Sequence, residues 1–194
     1  VQRPTAGRHR NPKYAAMVET MDAGVGRVLA ALDEMKVTDQ TLVIFTSDNG
    51  GLGGYRSADK QLPNGVTDNA PLKGGKGMLY EGGIRVPMIV RWPGHTKPAS
   101  TCPTPVISVD FYPTILEMAG VDHSARIVDG LSIVPLLSAG VPARSEPEPS
   151  GRAAELTALA KRPLFWHFPA YLEGNRNTDG PWRTTPVGAI RQGD

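Results

Sequence analysis

An acid and an amide end an apolar run in Thr41-Leu42-Val43-Ile44-Phe45-Thr46-Ser47-Asp48-Asn49-Gly50-Gly51. The β-branched first half has the composition of a strand buried on both faces of a parallel sheet. Ligand sites in open α/β sheets gather at the carboxyl ends of strands. Asp48 and Asn49 would stand at such an end as two hard oxygen donors, the kind that Ca²⁺ or Mg²⁺ accepts. The same letters also spell an Asn-Gly turn that closes a strand, with Asp48 capping a neighbouring element. This segment alone leaves both readings open.

A second constellation lies about twenty residues on: Asn69-Ala70-Pro71-Leu72-Lys73-Gly74-Gly75-Lys76-Gly77-Met78-Leu79-Tyr80-Glu81-Gly82-Gly83-Ile84-Arg85-Val86-Pro87. Glycines let backbone N–H groups approach an anion, and a lysine adds a mobile point charge. The composition suits a tetrahedral oxyanion beside a metal, and equally a flexible surface loop. Two nucleotide motifs are excluded. A P-loop needs Gly where Ala70 stands and Ser or Thr where Gly77 stands, and no strand leads into it. Gly24-Val25-Gly26 lacks the third glycine of a dinucleotide fingerprint and falls inside a helical pattern.

The elements that must position these groups follow from local signals. Asn11-Pro12 reads as an N-cap followed by Pro at the first helical position. Tyr14, Met17, Val18, Met21, Val25, Val28, Leu29 and Leu32 then recur at steps of three and four, which predicts an amphipathic helix. Gly24 and Gly26 are expected to permit close packing of that helix on a sheet. A turn at 37–40 and the strand ending at Thr46 make helix-turn-strand, the second half of a βαβ unit. Residues 50–84 form a long Gly-rich stretch with few and specific charges, which favours a functional loop. Residues 86–91 read as a buried strand stopped by Pro93-Gly94, and 106–109 as a short strand. Asp110 is expected to cap a helix running through Met118, with Gly120 just past its end. A short helical segment lies within 130–137, a weak helix at 153–161, an aromatic strand at 164–168 and a last strand at 187–191.

The chain has 194 residues, enough for one real core. An apolar fraction of 40% with 21% charged residues is ordinary for a globular protein. A net charge of +2, with Lys and Arg scattered, argues against nucleic acid or an anionic membrane as partner. No apolar run approaches the ~20 residues needed to span a bilayer. The single cysteine, Cys102, excludes an internal disulfide framework. The chain opens on Val1-Gln2-Arg3-Pro4 and closes on Gln192-Gly193-Asp194, and it reads as a portion of a longer protein.

Taken together, these motifs resemble the sulfatase family of the alkaline-phosphatase-like superfamily. The resemblance rests on Tyr14 to Asp22 with Val25 to Leu29, on Thr41 to Gly51, on Asn69 to Pro87 and on Trp92-Pro93-Gly94. It continues through Asp110-Phe111-Tyr112-Pro113-Thr114-Ile115-Leu116 with Ala119-Gly120, Trp166-His167-Phe168-Pro169 and Ala189 to Asp194. It implies an α/β fold, part of an alkaline-phosphatase-like mixed sheet flanked by helices, with the start of a smaller C-terminal α+β subdomain. Residues 1–140 would belong to the catalytic domain, 141–162 to an insertion or linker, and 163–194 to that subdomain.

The resemblance also implies roles. Asp48 and Asn49 match two ligands of a divalent cation, usually Ca²⁺ with Mg²⁺ as alternative, and Lys76 matches the lysine that contacts the sulfate. Gly75, Gly77, Glu81, Gly82 and Gly83 match the loop that shapes the site. Glu81 and Arg85 are expected to be structural, paired with each other. Lys73 is expected to be a solvated charge. Residues 52–70 are expected to shape substrate choice. The implied activity is hydrolysis of a small-molecule or carbohydrate sulfate ester, in a periplasmic, secreted or lysosome-like setting. Alternatives are a phosphomonoesterase or phosphodiesterase of the same superfamily, or a non-catalytic sulfatase-like binding protein.

One departure is clear. Family members make formylglycine within Cys/Ser-x-Pro-x-Arg, but Cys102 is followed directly by Pro103 and has no arginine in place. Cys102 therefore reads as a lone loop cysteine. The nucleophile and the remaining metal ligands are expected upstream, and this portion alone is expected to be inactive. His9, His95 and His123 read as solvated surface groups. His167, in the aromatic strand, is either a buried, hydrogen-bonded core residue or a substrate-facing group.

Overall fold

Asn11 begins the first helix as its side chain dictates. Its Oδ1 accepts from the N–H groups of Lys13 and Tyr14 at 3.1 Å each, and Pro12 takes the first helical position. The computed structural model describes residues 11–53, 66–122, 126–139, 151–170 and 186–193. His9, His123, residues 54–65 of the stretch expected to shape substrate choice, the 141–150 part of the expected insertion and residues 171–185 of the expected subdomain lie outside the described residues. The chain divides into two units, one of residues 1–89 with 166–189 and one of residues 90–165 with 190–194.

The first helix, α1 (Pro12–Glu34), is followed by a 3₁₀ turn at Thr38–Gln40 and the strand β1 (Val43–Thr46). One helical turn, α2 (Glu81–Ile84), precedes β2 (Met88–Arg91), which pairs with β1 in a two-stranded sheet. Helix, turn and strand thus fall where the sequence puts them, but burial is lighter than expected. β1 is half-buried, and Ile89 of β2 is 64% exposed. Among the described residues each of the two strands has one partner, and neither contains a fully buried residue. α1 likewise buries no residue fully: Tyr14, Val25, Leu29 and Leu32 are half-buried, whereas Met17, Val18, Met21 and Val28 are exposed. Gly24 and Gly26 have open space where a Cβ would stand, so no close packing depends on them.

In the second unit, the expected strand at 106–109 is absent. Ile107 donates its N–H to Asp110 Oδ2 at 2.9 Å, and a 3₁₀ turn forms at Ser108–Asp110. That bond diverts a donor a strand ladder would need. Helix α3 (Phe111–Met118) follows, with Gly120 at φ +68° just beyond it. Asp110 stands at its N-cap but makes no capping bond to it. Its fully buried carboxylate accepts instead from the N–H groups of Ile107 and Leu131 and, through both oxygens, from the guanidinium of Arg162. Thr114, also buried, donates to Asp110 O at 2.5 Å and accepts from Ile133 N–H at 3.0 Å. Short α4 (Val134–Leu137) and α5 (Arg152–Lys161) are tied by Arg152, whose Nη2 reaches Ser138 Oγ at 2.8 Å. Ile133, Leu159 and Leu164 supply the apolar core beside this network. The last strands, β3 (Leu164–Phe168) and β4 (Val187–Arg191), pair in a second two-stranded sheet. Among the described residues, no helix is long and apolar enough to cross a membrane.

Candidate active site

At the end of β1, Thr46 Oγ1 donates to Pro87 O at 3.1 Å, which fixes the strand end beside the approach to β2. The next four residues turn sharply. Ser47 Oγ donates to Asn49 O at 2.8 Å, and Asn49 Nδ2 donates to Gly50 O at 3.0 Å. Gly50 N–H then donates to Gly83 O at 2.8 Å. The backbones come so close there that a Cβ on Gly50 would run into the Gly82 carbonyl. This turn closes the strand, and it also carries Asp48 and Asn49 to the glycine-rich segment.

Gly51 O is the meeting point. It accepts from Gly53 N–H at 2.7 Å, from Lys76 N–H at 3.0 Å and from Asn69 Nδ2 at 2.9 Å. The second N–H of the Asn69 amide reaches Gly74 O at 2.9 Å. Gly82 N–H donates to Lys73 O at 2.8 Å, and Met78 N–H to Gly75 O at 3.0 Å. Gly75, Gly82 and Gly83 are buried, and a Cβ on any of them would strike backbone carbonyls of the knot. Gly77 sits at φ +81°, a conformation that other residues rarely adopt. Thr67 N–H meets Leu52 O at 3.4 Å, which brings the two ends of the 52–67 stretch together.

Charged side chains surround this backbone knot. Lys76 and Asp48 are exposed. Lys73 does not simply extend into solvent: its Nζ lies 4.1 Å from the centroid of the Tyr80 ring, a cation–π contact. Glu81 and Arg85 form the expected pair, 3.6 Å apart at i,i+4 on α2. His167 is exposed on β3, so it is not a buried core residue. No hydrogen bond or ion pair joins it to the knot among the described residues. His95 is exposed and stacks on Trp92, with centroids 3.9 Å apart at 15°. Cys102 is free and exposed. Neither Asn69 nor Tyr80 carries a sequence signal of the contact it makes. Asn69 reaches Gly51, 18 residues back in the chain, a non-local role that no local pattern encodes.

A family model described as Sulfatase matches residues 2–121. The chain belongs to the sulfatase family. It is 37% identical over 178 residues to a protein named Sulfatase from Formosa agariphila, covering 86% of this chain and 28% of that one. It is 42% identical to the Steryl-sulfatase of Mus musculus over 74% of this chain and 23% of the mouse protein. It is 39% identical to the Arylsulfatase D of Homo sapiens over 73% of this chain and 24% of the human protein. This sulfatase chain therefore spans about a quarter of the length of the curated relatives it matches. The family's α/β class agrees with the helices and paired strands described above.

The donor chemistry of the sulfatase turn suits a hard cation. No hydrogen bond or ion pair occupies the Asp48 carboxylate among the described residues. Asn49 directs its Nδ2 to Gly50 O, and among the described residues its Oδ1 accepts no hydrogen bond. These are two oxygen donors, and a Ca²⁺ site needs six to eight ligands. No group of three or more His, Cys, Asp or Glu able to hold a metal occurs among the described residues. The pair fits such an ion as part of a shell, with further ligands supplied by other groups.

Proposed function

We propose that this chain supplies two cation ligands and a sulfate-binding lysine to a sulfuric ester hydrolase. One observation carries the reading. The Lys76 N–H donates to the carbonyl of Gly51, two residues after Asn49, which supports a shared site for the lysine and the acid–amide pair. Asp48 and Asn49 would hold Ca²⁺, or Mg²⁺ in its place. The chemistry such an ion supplies when bound is polarisation of a sulfate oxygen. Lys76 would hold a fixed positive charge against the non-bridging oxygens, which carry the negative charge of the bound sulfate group. Glu81 and Arg85 pair with each other beside the glycine-rich segment.

The formylglycine nucleophile would come from residues outside this chain, so the chain alone would be inactive. The strands β1 and β2 would belong to a larger alkaline-phosphatase-like mixed sheet. Residues 141–162 would form an insertion or linker, and residues 163–194 would open a smaller C-terminal subdomain, with His167 at the rim of the cleft. The substrate would be a small-molecule or carbohydrate sulfate ester, met in a periplasmic, secreted or lysosome-like compartment.

The test uses the complete protein and paired sulfate and phosphate esters of one aryl alcohol. The wild type should prefer the sulfate ester. Asp48→Ala should lose bound metal and about 10²–10³ in rate. Wild-type turnover and metal content in Asp48→Ala, or a preference for the phosphate ester, would overturn the reading. Exchanging residues 52–70 for those of a relative should shift ester preference, and unchanged preference would remove that stretch from substrate choice.

A further inference from the structure

We infer that Asn69 is a positioning residue that sets the Lys76 ammonium against the Asp48–Asn49 oxygens; this rests on the proposed sulfatase reading. The amide has two diverging N–H bonds, and each reaches a different segment. One goes to Gly51 O, two residues beyond Asn49, and the other to Gly74 O, two residues before Lys76, both at 2.9 Å. A single planar group thus spans the segment carrying the cation ligands and the segment carrying the lysine.

The surroundings are shaped around that amide. A Cβ on Gly51 would lie 2.6 Å from Asn69 Oδ1, and a Cβ on Gly53 or Gly75 would lie 2.9 Å from Nδ2. Three glycines from the two segments therefore leave the space the side chain fills. Asn69 is itself held: its carbonyl accepts from Leu72 N–H at 2.9 Å, and the following Ala70 N–H donates to Asp68 Oδ1 at 2.8 Å. Two carbonyl oxygens face the nitrogen, so the position demands a double donor. Aspartate has the same shape but only acceptors, and it would meet both carbonyls with like charge. A displacement of about 1 Å between reacting groups can cost on the order of 10²-fold in rate.

The decisive experiment is a double-mutant cycle in the complete protein with Asn69→Asp, Lys76→Ala and the pair, read with an aryl sulfate. Asn69→Asp should lower kcat by about 10- to 100-fold. In the Lys76→Ala background the same change should cost less than about twofold, because there is no ammonium left to place. Hydrogen exchange should quicken at the amides of Gly53 and Lys76 and stay unchanged across α3. Equal losses in both backgrounds, full activity in Asn69→Asp, or faster exchange throughout the chain would each overturn the assignment. Wild-type activity in Lys76→Ala would instead sink the sulfatase reading, and the role of Asn69 with it. Asn69→Ser, which keeps one donor on a shorter arm, carries the same comparison if Asn69→Asp does not accumulate in folded form.

Discussion

The turn after β1 and the cluster around Asp110 both gather polar groups at a point where distant segments meet, yet they treat charge in opposite ways. Around Asp110, side chains make the junction and every charge is answered. The carboxylate is fully buried, takes two backbone N–H bonds and is gripped by a guanidinium that is 13% exposed. Around Gly51, backbone and one amide make the junction, and the charges are left on the outside. A buried carboxylate that already accepts from two backbone N–H groups and a guanidinium specifies structure and offers a ligand no open acceptor. A neutral backbone knot brings together the segments that carry Asp48 and Lys76 and leaves both side chains exposed. The contrast separates a structural polar centre from one suited to a ligand more sharply than burial alone would.

The widest gap between the two should come from Asp110→Ala. It leaves the Arg162 guanidinium buried without its partner and should cost about 3–5 kcal/mol of stability. Thermal or denaturant unfolding of the complete protein would show this, while turnover per folded molecule stays near wild type. A large fall in turnover with unchanged melting would erase the contrast. Lys76→Ala should do the reverse. Its kcat/KM should drop by about 10²–10³ while the melting temperature holds, because an exposed side chain contributes little to stability. Gly83→Ala tests the knot itself. A methyl group there meets the carbonyls of Met78 and Gly75, and overpacking of that kind typically costs about 1–3 kcal/mol. It should lower activity and stability together, and tolerance of alanine would show that the backbones can part. Arg85→Gln should matter least. The pair with Glu81 is half exposed, and exposed i,i+4 pairs contribute about 0.3–0.5 kcal/mol.

Local chemistry was readable where it was self-contained. Asn11-Pro12 announced α1 because both the cap acceptor and the fixed φ act within one turn. The run from Thr41 to Thr46 announced β1, and Glu81 with Arg85 formed the expected pair because i,i+4 neighbours on a helix must meet. Longer reach was illegible. Asp110 looked like a helix cap, but its carboxylate is committed to Arg162, 52 residues away, and to Leu131. That commitment also removed the strand expected at 106–109, since Ile107 gives its N–H to the same carboxylate. Gly24 and Gly26 suggested close packing only because helical glycines often allow it, and nothing approaches them. At the candidate site, residue types pointed to Asp48, Asn49 and Lys76. The bonds through Gly51 and Asn69 that draw their segments together depend on tertiary closure.

The bond between Leu52 and Thr67 has a consequence for how such proteins diversify. A chain that leaves at Leu52 and is bonded again at Thr67 departs from and returns to one place. Lengthening a clasped loop is cheap in chain entropy, about 0.6 kcal/mol for each doubling. On the proposed reading, a change of length or sequence between these two residues alters which ester is chosen and leaves the bond from Lys76 N–H to Gly51 O in place.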